Sequence, residues 1–295
     1  MSENKFPASL AGEPTALVDL VSTATPGERH EVLSRITAAA GSAGGRITLA
    51  NRALAPMILP DESAPRADEE VSLLVISEFD TGEEARAAIA LRERGSSQLP
   101  AGLTIRTWAT RPAGRIESFV GHNLPRALAL LSRASVPENP SSLEQHTLVQ
   151  EGLILGEQPD EARWQRLLER AGNQPIWMLN MLEFEATAQY PEDAGEAAPS
   201  TPIAGSEAYQ RYGRGMISTL GAVGGRVGWA SSRLHQLVGP DEGTWHQVAI
   251  AVYPSTAAML TMLAIPKYRA AHVHREAALS RTRLLATRPI NDREG

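Results

Sequence analysis

The chain has no cysteine among its 295 residues. Disulfides, thiolate metal sites and cysteine nucleophiles are therefore excluded. A basic excess is missing too: 28 Lys and Arg against 34 Asp and Glu give a formal net charge of -6, which argues against a nucleic-acid partner. No apolar run approaches the roughly 18 residues of a membrane span. The opening MSENKFPASLAGEPT lacks the apolar core of a secretory signal. G-x-G-x-x-G, Walker A, H-E-x-x-H and G-x-S-x-G patterns are absent, which disfavours nucleotide, Rossmann-type and serine-hydrolase chemistry. These absences predict a soluble, cytoplasmic protein that meets neither nucleic acid nor membrane.

What is present is an ordinary globular composition, 42% hydrophobic and 21% charged, in a chain long enough for two domains. Abundant Ala, Arg and Gly suit a GC-rich bacterial genome. The chain also repeats itself. AGSAGGRITLANRALAPMILP, ending at Pro60, matches LGAVGGRVGWASSRLHQLVGP, ending at Pro240. The GGR triplets at Gly44 and Gly224 differ by 180 positions (224 − 44), and ATRP at Ala109 recurs at Ala286, 177 further on (286 − 109).

The segments around these anchors agree in type. In the first copy TALVDLV is a short β-branched strand, PGERHEVLSRITAAAG a helix opened by Pro26, and RITLANRALAPMIL and VSLLVISEF two strands. TGEEARAAIALRERG is a helix with Thr81 and Glu84 as a capping box, and LTIRTWATRP is the closing strand. The second copy runs strand IWMLNMLEF, helix GSEAYQRYGRGMISTLGAVG, strands RVGWASSRLHQLV and WHQVAIAVY, helical PSTAAMLTMLAIPKYRAAHVHREAAL and strand RTRLLATRP. Each copy is β-α-β-β-α-β, the ferredoxin-like order.

Two such sheets can bury their open faces on each other within one chain. The predicted fold class is α+β: two ferredoxin-like repeats packed sheet to sheet as an intramolecular pseudo-dimeric α/β barrel. Residues 14–112 form the first, degenerate repeat, 113–175 a partly helical connector that includes PRALALLSRA and PENPSS, and 176–290 the second repeat. EATAQYPEDAGEAAPSTPIA, within the second repeat, reads as a mobile loop. The GG pairs before Arg46 and Arg226 read as helix-to-strand turns with positive φ.

The second copy resembles the DUF1330 family of the dimeric α/β-barrel superfamily. The resemblance is carried by the Asn180-containing first strand, AYQRYG, GGRVGWASS, WHQVAIAVYPS, PKYRAAHVHREAAL and RLLATRP, over about Trp177 to Pro289. It implies the fold, and a small ligand held between a sheet and its helices. Related families include cofactor-free monooxygenases, aromatic and polyketide cyclases, and haem-dependent chlorite dismutases and dye peroxidases.

The densest chemistry lies in PKYRAAHVHREAAL. His272 and His274 are two apart, roughly 200° around a helix, so they cannot share one pocket or metal ion there. The spacing leaves open which of them faces inward, and no metal is expected. Tyr268, His272, Arg275 and Leu279 fall on one stripe. That stripe presents a phenol, an imidazole and a guanidinium to one cavity, with His272 as acid or base near neutral pH. The matching segment of the first copy, ALRERGSSQLPAG, has neither Tyr nor His, which points to the second repeat as the site.

Asn180 is a polar residue in an apolar strand, and Asp19 is its counterpart in the first copy. Tyr209, Arg214, Trp229, His246 and His274 complete the set expected to contact the ligand. The expectation is an acid/base enzyme without metal or nucleotide, acting on a small oxygenated, partly apolar metabolite. The reactions weighed are isomerisation, cyclisation, dehydration and cofactor-free oxygenation. A non-catalytic binding protein is one alternative. A haem protein, ligated by His272, His274 or His246, is the other. The expected assembly is a monomeric pseudo-dimer or a homodimer.

Overall fold

The computed structural model describes residues 6–23, 25–59, 71–94, 103–114 and 159–290. The first half comprises β1 (Thr15–Ser22), α1 (Pro26–Ser42), β2 (Arg46–Ile58), β3 (Val71–Phe79), α2 (Gly82–Arg94) and β4 (Thr104–Pro112). After α3 (Glu161–Ala171) the second half runs β5 (Ile176–Phe184), α4 (Gly205–Ala222), β6 (Arg226–Val238), β7 (Gln247–Tyr253), α5 (Thr256–Ala264), α6 (Pro266–Ala278) and β8 (Leu279–Pro289). Both halves show the expected ferredoxin-like order.

The eight strands form one closed antiparallel barrel, β1-β3-β2-β8-β5-β7-β6-β4. Each half contributes its own four strands, β4-β1-β3-β2 and β8-β5-β7-β6. They join edge to edge, with Ala55 opposite Ala286 where β2 meets β8 and Ala109 opposite His235 where β4 meets β6. Closure leaves no unpaired sheet edge.

Strand alternation sorts the side chains into two layers. Ala16, Val18 and Leu20 of β1 and Leu179 and Met181 of β5 fill the barrel interior with Trp108, Trp229 and Trp245. The intervening residues face the helices, as Ile176 and Met178 do. One end of the interior is charged. Arg106 and Arg283, both almost fully buried, each place NH1 2.9 Å from an oxygen of Glu242. Burial pushes the Glu242 carboxyl up, but hydrogen bonds and charge from Arg283 and Arg106 outweigh it and leave the group below its usual range.

Local signals explain the helix boundaries. Thr25 and Glu28 form a reciprocal capping box at α1, where Pro26 opens the helix. Thr81 and Glu84 do the same at α2, each backbone N–H finding the other's side chain at 3.3 Å. Gly44 and Gly224 take φ of +89° and +77° between helix and strand, the conformation that costs glycine least. The long helical segment before β8 breaks into α5 and α6 at Ile265, whose extended backbone is what the following Pro266 requires.

The loop 185–204, expected to be mobile, is tethered. Ala188 N–H donates to Ile203 O at 2.8 Å and Gln189 N–H to Ala277 O at 2.7 Å. Glu192–Ala197 forms a short 3-10 turn. Within the connector, α3 accounts for the expected helix DEARWQRLLERAG, capped by Asp160. PRALALLSRA and PENPSS lie outside the described residues.

Candidate functional site

Helices α4 and α6 approach closely because Gly215 has no side chain: a Cβ there would lie 2.5 Å from Ala271 Cβ. With α5 they cover the outer face of the second sheet, and the space left between is a partly open cavity of about 100 Å³. Trp164 of α3 and Met57 of β2 also line it. Met57, Met178, Met216, Met259 and Met262 form much of its wall. Flexible thioethers let such a wall reshape around a guest.

Tyr268, His272 and Arg275 all line this cavity, at 6%, 3% and 6% exposure. The i, i+4, i+7 spacing puts them on the inward face of α6, and His272 is therefore the inward histidine. Its Nδ1 lies 3.6 Å from Glu276 Oε1, an ion-pair distance too long for a good hydrogen bond. Arg275 NH2 reaches Thr282 Oγ1 at 3.4 Å, and among the described residues it forms no ion pair.

Asn180 also lines the cavity, its amide donating to Met178 O at 3.0 Å. Tyr209 does too, together with Tyr212 and Tyr253, which the sequence did not mark as contacts. The rings form a chain: Tyr209 to Tyr212 at 5.3 Å, Tyr212 to Tyr268 at 6.2 Å and Tyr268 to His272 at 5.7 Å. Burial raises all four phenols, Tyr268 to about 12, where the Tyr253 charge adds to the effect and Arg275 opposes it. They stay neutral at physiological pH and serve as hydrogen-bonding groups rather than as bases.

Trp164 also escaped the sequence reading. Trp164, 3% exposed, has an indole N–H with no acceptor among the described residues. Its helix has no counterpart in the repeat, so the internal comparison gave it no weight. The signal for the phenols was available: all five tyrosines of the chain fall in the second half.

Four candidates lie elsewhere. Trp229 is in the barrel interior, its Nε1–H donating to Glu78 Oε1 at 3.0 Å. Val227, two residues earlier, does line the cavity, but a register shift between Val227 and Trp229 breaks the alternation and turns the indole inward. His246 is exposed, stacks on Phe184 at 5.7 Å and accepts the Phe184 backbone N–H on Nδ1 at 2.9 Å. It holds a strand end.

Arg214 and His274 face a wide polar groove of about 550 Å³ on the other side, shared with Arg211, Glu196 and Glu207. His274 Nδ1 is 2.9 Å from Tyr190 Oη, and burial and the Arg211 charge lower its pKa. The groove is larger but open to water, which screens its charges, and Arg211 already pairs with Glu207 at 3.2 Å. Its narrower opening and more apolar wall favour the smaller cavity as the chemical site.

A haem does not fit at His272 or His246. The cavity beside His272 is far smaller than a porphyrin, and His246 accepts the Phe184 N–H on Nδ1, which leaves the proton on its Nε2. Among the described residues no cluster of three or more His, Asp or Glu is placed to hold a metal ion.

The fold class is thus an α/β barrel of two ferredoxin-like halves in one chain, with a cavity under the helices of the second half. No family model matches the chain, and no curated protein does. Among solved structures it is similar to a protein of unknown function from Rhodopseudomonas palustris: 33% identity, 45% of this chain, 95% of that one, TM-score 0.40. It is also similar to an anthrone oxidase-like protein (11% identity, 95% and 92% covered, TM-score 0.45). A mutant chlorite dismutase from Candidatus Nitrospira defluvii is a further match (8%, 94% and 92%, TM-score 0.39). Among the described residues no helix is long and apolar enough to cross a membrane.

Proposed function

We propose that the second half, residues 176–290, is a DUF1330-type unit that binds a small oxygenated, partly apolar molecule and moves a proton on it. The observation that carries this reading is the convergence of Tyr268, His272 and Arg275 on one cavity. His272 is the acid or base, since the four phenols around it stay neutral. Glu276, 3.6 Å from its Nδ1, stabilises the imidazolium formed when His272 takes a proton. Arg275 stabilises negative charge that develops on a ligand oxygen, and Tyr268 and Asn180 orient the ligand by hydrogen bonds. Isomerisation, dehydration, cyclisation and cofactor-free oxygenation all begin with such a proton transfer. The chain works as a pseudo-dimer by itself.

The test is a metabolite panel incubated with wild type and with His272→Gln, products followed by mass spectrometry and fold by Tm. Conversion lost in the variant at unchanged Tm supports the reading. Conversion that persists in the variant rejects the role of His272. Uptake of a ligand by wild type with no product at any pH would leave a binding protein.

A further inference from the structure

The two halves treat one position differently. Asp19 is the fifth residue of β1 and Asn180 the fifth of β5, each facing the helices of its own half. In the first half, Arg92 in the last turn of α2 places NH1 2.9 Å from both oxygens of Asp19. Thr107 of β4, across from Asp19, adds a 2.6 Å hydrogen bond. That carboxylate is fully buried and fully matched.

The second half keeps a buried arginine at the corresponding helix end, Arg275 in the last turn of α6. The acid is gone: Asn180 stands in the place of Asp19, and Leu284 lies across from it in the place of Thr107. What remains there is the cavity. A buried guanidinium without a carboxylate is unfavourable, and the 3.4 Å contact to Thr282 is its one hydrogen bond among the described residues.

We propose that the cavity is a carboxylate site, in which the ligand supplies to Arg275 the carboxylate that Asp19 supplies to Arg92. The inference rests on reading the cavity as a small-molecule site, and it names the class of molecule. The orphaned indole N–H of Trp164, at the same cavity, donates to a second ligand oxygen. The cavity, about 100 Å³, is well below the roughly 300–1,000 Å³ of sites that take drug-sized ligands. The ligand is therefore a short-chain monocarboxylate with one further acceptor oxygen, an oxo or hydroxy acid, lying against methionine and tyrosine walls.

Isothermal titration of the full chain tests this with acetate, pyruvate and 2-oxobutanoate, each against its own neutral amide. The oxo acids are expected to bind at least about tenfold more tightly than their amides, the order of a charge-assisted hydrogen bond. Arg275→Gln should abolish the difference. Asn180→Asp should rebuild the first-half ion pair inside the second, weakening acid binding by at least about tenfold while holding or raising Tm. That variant decides the matter if Arg275→Gln fails to fold. Trp164→Phe should weaken the oxo acids and leave acetate unchanged.

Equal binding of acids and amides overturns the carboxylate assignment and leaves the small-molecule cavity standing. Undiminished acid binding in Asn180→Asp overturns it too, as does a fall in Tm of that variant. Failure of all six probes also overturns it, and the metabolite panel then decides separately whether the cavity binds anything.

Discussion

Arg106 and Arg283, 177 residues apart like the two ATRP motifs that follow them (283 − 106), close on opposite oxygens of one carboxylate. Glu242 comes from the turn between β6 and β7, so one acidic side chain ties the fourth strands of both halves together inside the barrel. Arg283 also lies 5.3 Å from the ring of Trp245 and 5.9 Å from that of Trp108.

Removing the shared acid leaves two buried cations facing each other. Glu242→Ala should lower stability by about 3 kcal/mol or more, measured by urea unfolding at neutral pH. The carboxyl sits below its usual range in the fold, so its contribution is present above the unfolded carboxylate pKa and is lost on acidification through the folded value. The gap between wild type and Glu242→Ala should therefore narrow as pH falls. A variant as stable as wild type would remove Glu242 from the role of tie.

Asp19→Ala strands Arg92 in the same way and should cost about 3 to 5 kcal/mol in the first half. Asp19→Asn, which keeps the shape and loses the charge, should also destabilise. Thermal unfolding of the two variants checks this, and a loss within experimental error would mean that water reaches Arg92.

The buried phenols make an alkaline prediction. Tyr268 is raised to about 12 and its three neighbours are raised as well, so the fold holds protons that an unfolded chain, with phenols near 10, would release. Stability is then full below pH ~10 and falls between about 10 and 12, by roughly 1.4 kcal/mol per pH unit for each such phenol. Tyrosinate absorbance should rise together with loss of circular dichroism. A phenolate signal from the cavity before unfolding would contradict their burial.

The histidines should separate cleanly. His246→Ala removes one exposed hydrogen bond at a strand end and should cost about 1 kcal/mol or less, with turnover unchanged. His272→Gln should abolish turnover, as assayed on the same panel. Equal effects of the two changes would erase the distinction between the cavity and the strand end.

Much of the architecture was legible because apolar strand runs, helical stripes and two sets of landmarks agreed. VSLLVISEF, IWMLNMLEF and RVGWASSRLHQLV match β3, β5 and β6 end to end. The edge-to-edge closure through β2 with β8 and β4 with β6 was not, since pairing between distant edge strands leaves no local mark. The stripe of Tyr268, His272 and Arg275 followed from 3.6-residue periodicity alone. Trp229 was misplaced because a single register shift reversed its face, and His246 because a ring beside a strand says nothing of the backbone N–H it caps. Trp164 sits in the connector, outside both copies, so comparing the copies was blind to it.

The tandem arrangement has a consequence for how the barrel can vary. In a barrel built from two identical chains, any exchange of acid for amide appears twice, and opening one hole opens both. Here the exchange is written once. The half carrying Asp19 is free to close this position with an ion pair, and the half carrying Asn180 is free to leave it beside a cavity, so the two arrangements are inherited as separate traits of one molecule.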